Sequence, residues 1–176
     1  TQPVKLDAYN GKKAEFIISG DKLFVKSFDA SNDTFSLFRH TVTNGVVSAA
    51  EMLDTSIKAC NIIGADVWYR RSVTGSSLCD LYKYSTEKEK IDGDVASFAE
   101  LPDGSVLIVK NFVSSSDGEI ADLYLYDGKK TSLVAEKAEL KNMKYSDKGI
   151  SFIRSGGDLC IYSKNKLAIT DGGAYN

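Results

Sequence analysis

Hydrophobic and polar positions along this chain alternate in short runs broken by Gly, Asp, Asn or Ser, and no stretch sustains a 3.6-residue period. Runs such as Leu23-Phe24-Val25-Lys26-Ser27 and Val106-Leu107-Ile108-Val109-Lys110 therefore predict β-strands. Two longer segments, 47–58 and 132–144, fit either a helix or a strand-turn-strand unit. The pattern around them settles the choice as strand, because one strand recurs. Ser36-Leu37-Phe38-Arg39-His40, Asp80-Leu81-Tyr82-Lys83-Tyr84, Asp122-Leu123-Tyr124-Leu125-Tyr126 and Asp158-Leu159-Cys160-Ile161-Tyr162 are variants of a single sequence. Their leucines lie 44, 42 and 36 residues apart, a spacing typical of repeat architectures built from one supersecondary unit.

Around each copy the chain divides into four predicted strands, A to D. Strand A covers 14–19, 58–63, 96–101 and 142–146, and ends in a turn rich in Asp and Gly. Strand B includes Val67-Trp68-Tyr69-Arg70-Arg71 and Ile150-Ser151-Phe152-Ile153-Arg154, and strand C is the recurring motif. Strand D covers 46–49, 88–91, 132–135 and 167–170. Sixteen short strands in four sequential meanders predict an all-β, β-propeller-like fold with four four-stranded antiparallel blades in a single domain spanning 1–176. The blades run approximately 12–54, 55–94, 95–138 and 139–172. A sandwich or a barrel would not require the same C strand four times.

The Asp-Leu-Tyr-x-Tyr strand and its Gly-containing turn, carried by Asp80-Leu81-Tyr82, Asp122 to Gly128 and Asp158-Leu159, resemble the degenerate blades of bacterial propellers of the TolB-like and DUF5050-like kind. WD40 signatures are missing: the single tryptophan, Trp68, sits on strand B. The resemblance implies a binding or sensing module in an extracytoplasmic or cell-surface bacterial setting, and it carries no catalytic residues. Four blades are at the low end of the propeller range. That leaves a closed four-blade ring, part of a larger ring, or a homodimer completing a larger ring, since uncovered terminal blades expose apolar surface.

Composition narrows the function classes. Of 176 residues 43% are hydrophobic, enough for a core, and 22 basic against 24 acidic residues leave a net charge of -2 with no long block of either sign. Nucleic acid is not an expected partner. No apolar run is long enough to span a membrane, and the start at Thr1-Gln2-Pro3 reads as a mature, processed or excised chain. Cys60, Cys79 and Cys160 have no metal-type spacing, and a disulfide between Cys60 and Cys79 is disfavoured. Cys160 takes the place of Phe38, Tyr82 and Tyr124, so it reads as a small buried hydrophobe.

Candidate chemistry is sparse. Arg71, Lys110 and Arg154 occupy equivalent strand-B positions and could line one rim as an anion site. Asp80, Asp122 and Asp158 accompany them, so hairpin-closing ion pairs are the favoured reading. His40 stands where the other copies have Tyr, and no nucleophile motif accompanies it, so no catalytic residue is assigned. Asp29-Ala30-Ser31-Asn32-Asp33 begins like a calcium loop but has Thr34 where Gly is needed and His40 where the closing Glu belongs. No metal or cofactor is expected. Trp68 and Tyr69 read as packing residues. The B-C and D-A loops, with Asp92 and Asp94, form the expected binding rim together with the three cations.

The favoured function is a non-enzymatic binding, sensing or scaffold module for a protein, peptide or glycan. Its rivals are a glycan-processing or other hydrolytic or lyase enzyme with a site at the propeller mouth, and a structural assembly subunit. The carboxylates Asp54, Asp92, Asp94 and Glu119 form no recognisable catalytic pair for the enzyme reading.

Overall fold

The computed structural model describes residue 9 and residues 13–28, 33–116, 118–154, 156–163 and 166–170. Pro3, residues 29–32 of the calcium-like segment and Ser155 lie outside the described residues. Every element is a strand: β1 (Ala14–Ser19), β2 (Lys22–Phe28), β3 (Phe35–Thr43), β4 (Val46–Val47), β5 (Glu51–Ile63), β6 (Asp66–Ser72), β7 (Cys79–Tyr84), β8 (Lys88–Glu100), β9 (Val106–Ser115), β10 (Gly118–Tyr126), β11 (Thr131–Ser146), β12 (Gly149–Arg154), β13 (Leu159–Ser163) and β14 (Lys166–Thr170). Strand order follows the sequence, with β4 alone off the path beside β3. No helix among the described residues is long and apolar enough to cross a membrane.

Among the described residues the expected sixteen strands become fourteen, because three D-A pairs fuse and the short β4 is added. After the Asn44-Gly45 turn, Val46 and Val47 extend the tip of β3 as a two-residue ladder rather than forming the predicted 46–49 strand. The D role falls instead to the front of β5, which pairs with β3 through Arg39↔Glu51 and Leu37↔Asp54. From Ile57 onward the same strand turns its hydrogen bonds to β6. The predicted loop at 51–56 is thus strand. Strands β8 and β11 behave alike: Asp92-Gly93-Asp94 lies inside β8, and β11 pairs first with β10 and then with β12. A single left-handed residue replaces each loop, namely Ser56, Asp94 and Lys137, with φ of 58°, 57° and 51°.

The chain forms two compact units, Thr1–Ser77 with Leu81–Lys90, and Leu78–Asp80 with Ile91–Asn176. In the first, Ile17, Phe24 and Leu37 pack on Cys60, Val67, Tyr69, Tyr82 and Tyr84. The second repeats this arrangement: Leu107, Val109, Leu123 and Leu125 pack on Ile150, Phe152, Cys160 and Tyr162. The leucine face of one meander therefore covers the aromatic-slot face of the next. Leu37, Leu81 and Leu123 are fully buried, and each contributes about 1.5–3 kcal/mol relative to exposure. Leu159, on the opposite face from buried Cys160, is only half-buried, because no further leucine-covering face packs on it among the described residues.

His40 occupies its expected Tyr slot and is buried. A carbonyl can only accept, so His40 Nδ1 donates to Ser48 O at 2.8 Å and Nε2 accepts from the Tyr9 hydroxyl at 2.9 Å. Tyr9 also meets Phe38 edge-on and packs with Leu23 and Val25. All three cysteines are free and buried.

Candidate functional site

The fused strands bring charge together at their kinks. Asp54-Thr55-Ser56-Ile57, Asp92-Gly93-Asp94-Val95 and Ala135-Glu136-Lys137-Ala138 occupy equivalent positions, each with its left-handed third residue. The next residue stands opposite one of the predicted cations: Ile57↔Arg71, Val95↔Lys110 and Ala138↔Arg154. In the first two kinks the Asp carboxylate accepts the N–H of the following residue, Thr55 at 2.9 Å and Gly93 at 2.8 Å. The same carboxylates hold the cations, with Arg71 Nε 3.4 Å from Asp54 Oδ1 and Lys110 Nζ 2.8 Å from Asp92 Oδ1.

This corrects the expected hairpin bridge at Lys110. Lys110 is opposite Asp122 in register, yet its ammonium goes back to Asp92 on β8, while Asp122 accepts from Asn111 Nδ2 at 2.7 Å and Lys137 N at 2.9 Å. The preceding strand wins because its kink presents a carboxylate already oriented by its own backbone N–H. In the third copy Ala135 replaces the acid, leaving Arg154 opposite Ala138 without that partner. Arg71 belongs to the first unit, and Lys110, Arg154, Asp92 and Asp94 to the second. Asp94 is exposed at its kink.

In the first unit the kink closes into an ionic cluster. Asp54 is buried, and its Oδ2 accepts from Tyr69 OH at 3.1 Å and Lys88 Nζ at 2.7 Å. Lys88 lies 4.7 Å over the Tyr82 ring, which stacks on Tyr69 at 5.6 Å. Burial, and then the Asp54 charge, push the Tyr69 phenol far above its ordinary value, so it remains a donor. Asp54 and Lys88 are the residues that sequence reasoning missed as partners. The recurrence of an acid two residues before a kink was the signal available in the chain.

A different end of the second unit holds open space. A cavity of about 570 Å³ is lined by Leu101, Pro102, Asp103, Asp147, Gly149 and Tyr162. These residues belong to the A-B turns and the C-D end, at the opposite strand ends from the kinks. A second hollow of about 550 Å³ adjoins it over Leu101 and Pro102 and is walled by Tyr145. Burial raises the Tyr162 phenol, with Asp103 and Asp127 pushing the same way, so a neutral hydroxyl borders the cavity. Gly149 makes the wall: a Cβ there would stand 2.0 Å from Tyr162 O. Among the described residues no group of three or more His, Cys, Asp or Glu side chains is arranged to hold a metal ion.

No family model matches the chain, and no curated relative does. Solved structures do resemble it. The β-propeller domain of the Trilobed protease from Pyrococcus furiosus, which has an open velcro topology, is 14% identical with a TM-score of 0.55 over 89% of this chain and 57% of that one. Pyrococcus horikoshii acylaminoacyl peptidase is 9% identical, TM-score 0.54, over 92% of this chain and 32% of that one. TolB from Acinetobacter baumannii is 14% identical, TM-score 0.45, over 85% and 40%. The chain thus spans between about a third and three-fifths of the structures it resembles. Its fold is all-β and propeller-like.

Proposed function

We propose that the chain is a non-enzymatic binding and scaffold module of four sequential propeller meanders, engaging a protein, peptide or glycan at the A-B turn end of its second unit. The observation that carries this reading is the pair of adjoining hollows over Leu101 and Pro102, apolar and aromatic with a few polar groups, as ligand sites commonly are. The predicted rim at the kinks supports it less well, since Asp54 and Asp92 already hold Arg71 and Lys110. Catalysis is disfavoured because the buried imidazole of His40 and the buried carboxylate of Asp54 both spend their polar atoms on internal partners. The TolB-like strand pattern favours an extracytoplasmic or cell-surface bacterial setting. Among proteins, the partner this reading favours is a second copy of the chain.

Amide chemical shifts recorded against sets of short peptides and oligosaccharides test the proposal. Ligands are expected to perturb Leu101, Asp103, Gly149 and Tyr162 without being cleaved. Turnover of any probe, or perturbation centred on Ser56 and Asp94 instead, would overturn it.

A further inference from the structure

The packing rule within the chain identifies what fits its two uncovered faces. Twice, a leucine face receives an aromatic-slot face: Leu37 with Phe24 against Tyr69 and Tyr82, and Leu123 with Val109 against Phe152 and Cys160. The face of β12–β14 that carries Ile153, Leu159, Ile161 and Ala168 is the next leucine face in this series. The register proves the correspondence, since Leu159↔Ile153 repeats Leu123↔Val109. Nothing among the described residues closes it: Ile161 is 44% exposed, and Leu159 is half-buried where Leu123 is fully buried.

At the other end of the sequence the aromatic-slot face of β1–β3 is also uncovered in part. Phe16 is 54% and Ile18 77% exposed on β1, and their register partners Val25 and Leu23 lie on the same face. Phe16 and Ile18 hold the places that Cys60 and Ile62 hold in the following meander, and those two residues do pack against a leucine face. Tyr9 covers the part of the face around Phe38, His40, Leu23 and Val25 and meets Phe16 edge-on at 6.4 Å, leaving Phe16 and Ile18 as its exposed edge. Isolated exposed apolar residues need no explanation, but two faces matching the two halves of a contact the chain makes twice internally do.

We infer that copies of this chain associate head to tail, the Ile153-Leu159-Ile161 face of one seating against the Phe16-Ile18 face of another. The inference rests on the scaffold reading above and names its partner. Such a contact is heterologous: different surfaces meet, so copies form rings where the rotation closes and longer arrays where it does not. Two copies suffice where that rotation is 180°, each giving both faces, whereas a dimer joined through one face alone would bury that face on both copies.

Sedimentation of the intact chain and of two charge variants tests this. Ile18→Glu spoils one face and Ile161→Glu the other; both side chains are exposed, so folding is retained and is checked by circular dichroism. The wild type is expected to associate with rising concentration, and each variant alone to associate at least about tenfold more weakly. Mixing the two variants should restore a one-to-one complex, since each keeps one good face. A wild type that stays monomeric at about 200 µM, well above typical specific-complex dissociation constants, overturns the inference. So does a variant that associates like wild type, or a mixture that stays monomeric. Ligand shifts at Leu101 and Tyr162 are read on the same samples: if they persist while association is absent, only the self-association inference falls.

Discussion

In the first unit the kink at Asp54 gathers two cations and a phenol around one buried carboxylate, whereas in the second Asp92 holds Lys110 alone and Ala135 holds no charge at all. The contrast extends to the other strand ends. Lys83 and Asp66 form an ion pair of 3.3 Å at the turn end of the first unit, and the second has Ile161 and Gly149 in those places. The first unit thus uses side-chain charge to hold strands together where the second relies on close backbone approach, and the cavity opens beside that approach. One strand template has been braced in one unit and left open in the other.

The sharpest way to break this comparison is through the turn glycines. Gly149→Ala places a methyl against a backbone carbonyl at φ 139°, and is expected to cost about 4 kcal/mol or prevent the second core from forming. Gly64→Ala, with φ 61° and open space around it, should cost about 1 kcal/mol. Urea unfolding measures both, and similar losses would dissolve the distinction. Next in size, Asp54→Ala strands two cations and a buried phenol and is expected to cost about 3 kcal/mol, against about 1 kcal/mol for Asp92→Ala.

Alkaline pH probes the cores. Burial, partly offset by Lys26, pushes the Cys60 thiol up to about 11, so the folded state keeps its proton while the unfolded chain loses it near 9. The stability tied to this group is intact below pH 9 and falls as pH rises toward 11, by up to about 1.4 kcal/mol per unit. Cys60→Ala should flatten that slope in urea midpoints taken from pH 8 to 10.5. Burial raises Cys160 in the second unit in the same direction. The smallest expected effect restores a missing brace: Ala135→Asp should add roughly 0.5 kcal/mol when Arg154 is present and none in an Arg154→Ala background.

The strands B and C, their register and the burial of Leu37, Leu81 and Leu123 were legible because the pattern recurred with hairpin turns that local residues specify. So were the D strands at 88–91, 132–135 and 167–170, but the first D strand was not. Val46-Val47 has stronger strand propensity than Glu51-Met52-Leu53-Asp54, and only pairing with β3 makes the latter segment a strand. The cations Arg71 and Lys110 were found, but their partners were sought in the hairpin ahead because a left-handed Ser56 or Asp94 has no marker as plain as glycine. The cavity had no signature at all, since it depends on Leu101, Asp147 and Tyr162, which are far apart in sequence and meet only through packing.

The fused strands also constrain how such a chain can change length. Strand β5 serves two neighbours, and so does β11, with Ile57 in the first and Ala138 and Glu139 in the second paired on both sides, so an insertion there would shift the register of one ladder against the other. Hairpin tips carry no such penalty: the β9–β10 ladder has eight register pairs and the β12–β13 ladder four, within one repeat pattern. In an evolutionary lineage of this architecture, growth and loss belong at the hairpin tips. The kinks act as fixed joints, across which whole repeats are inherited together.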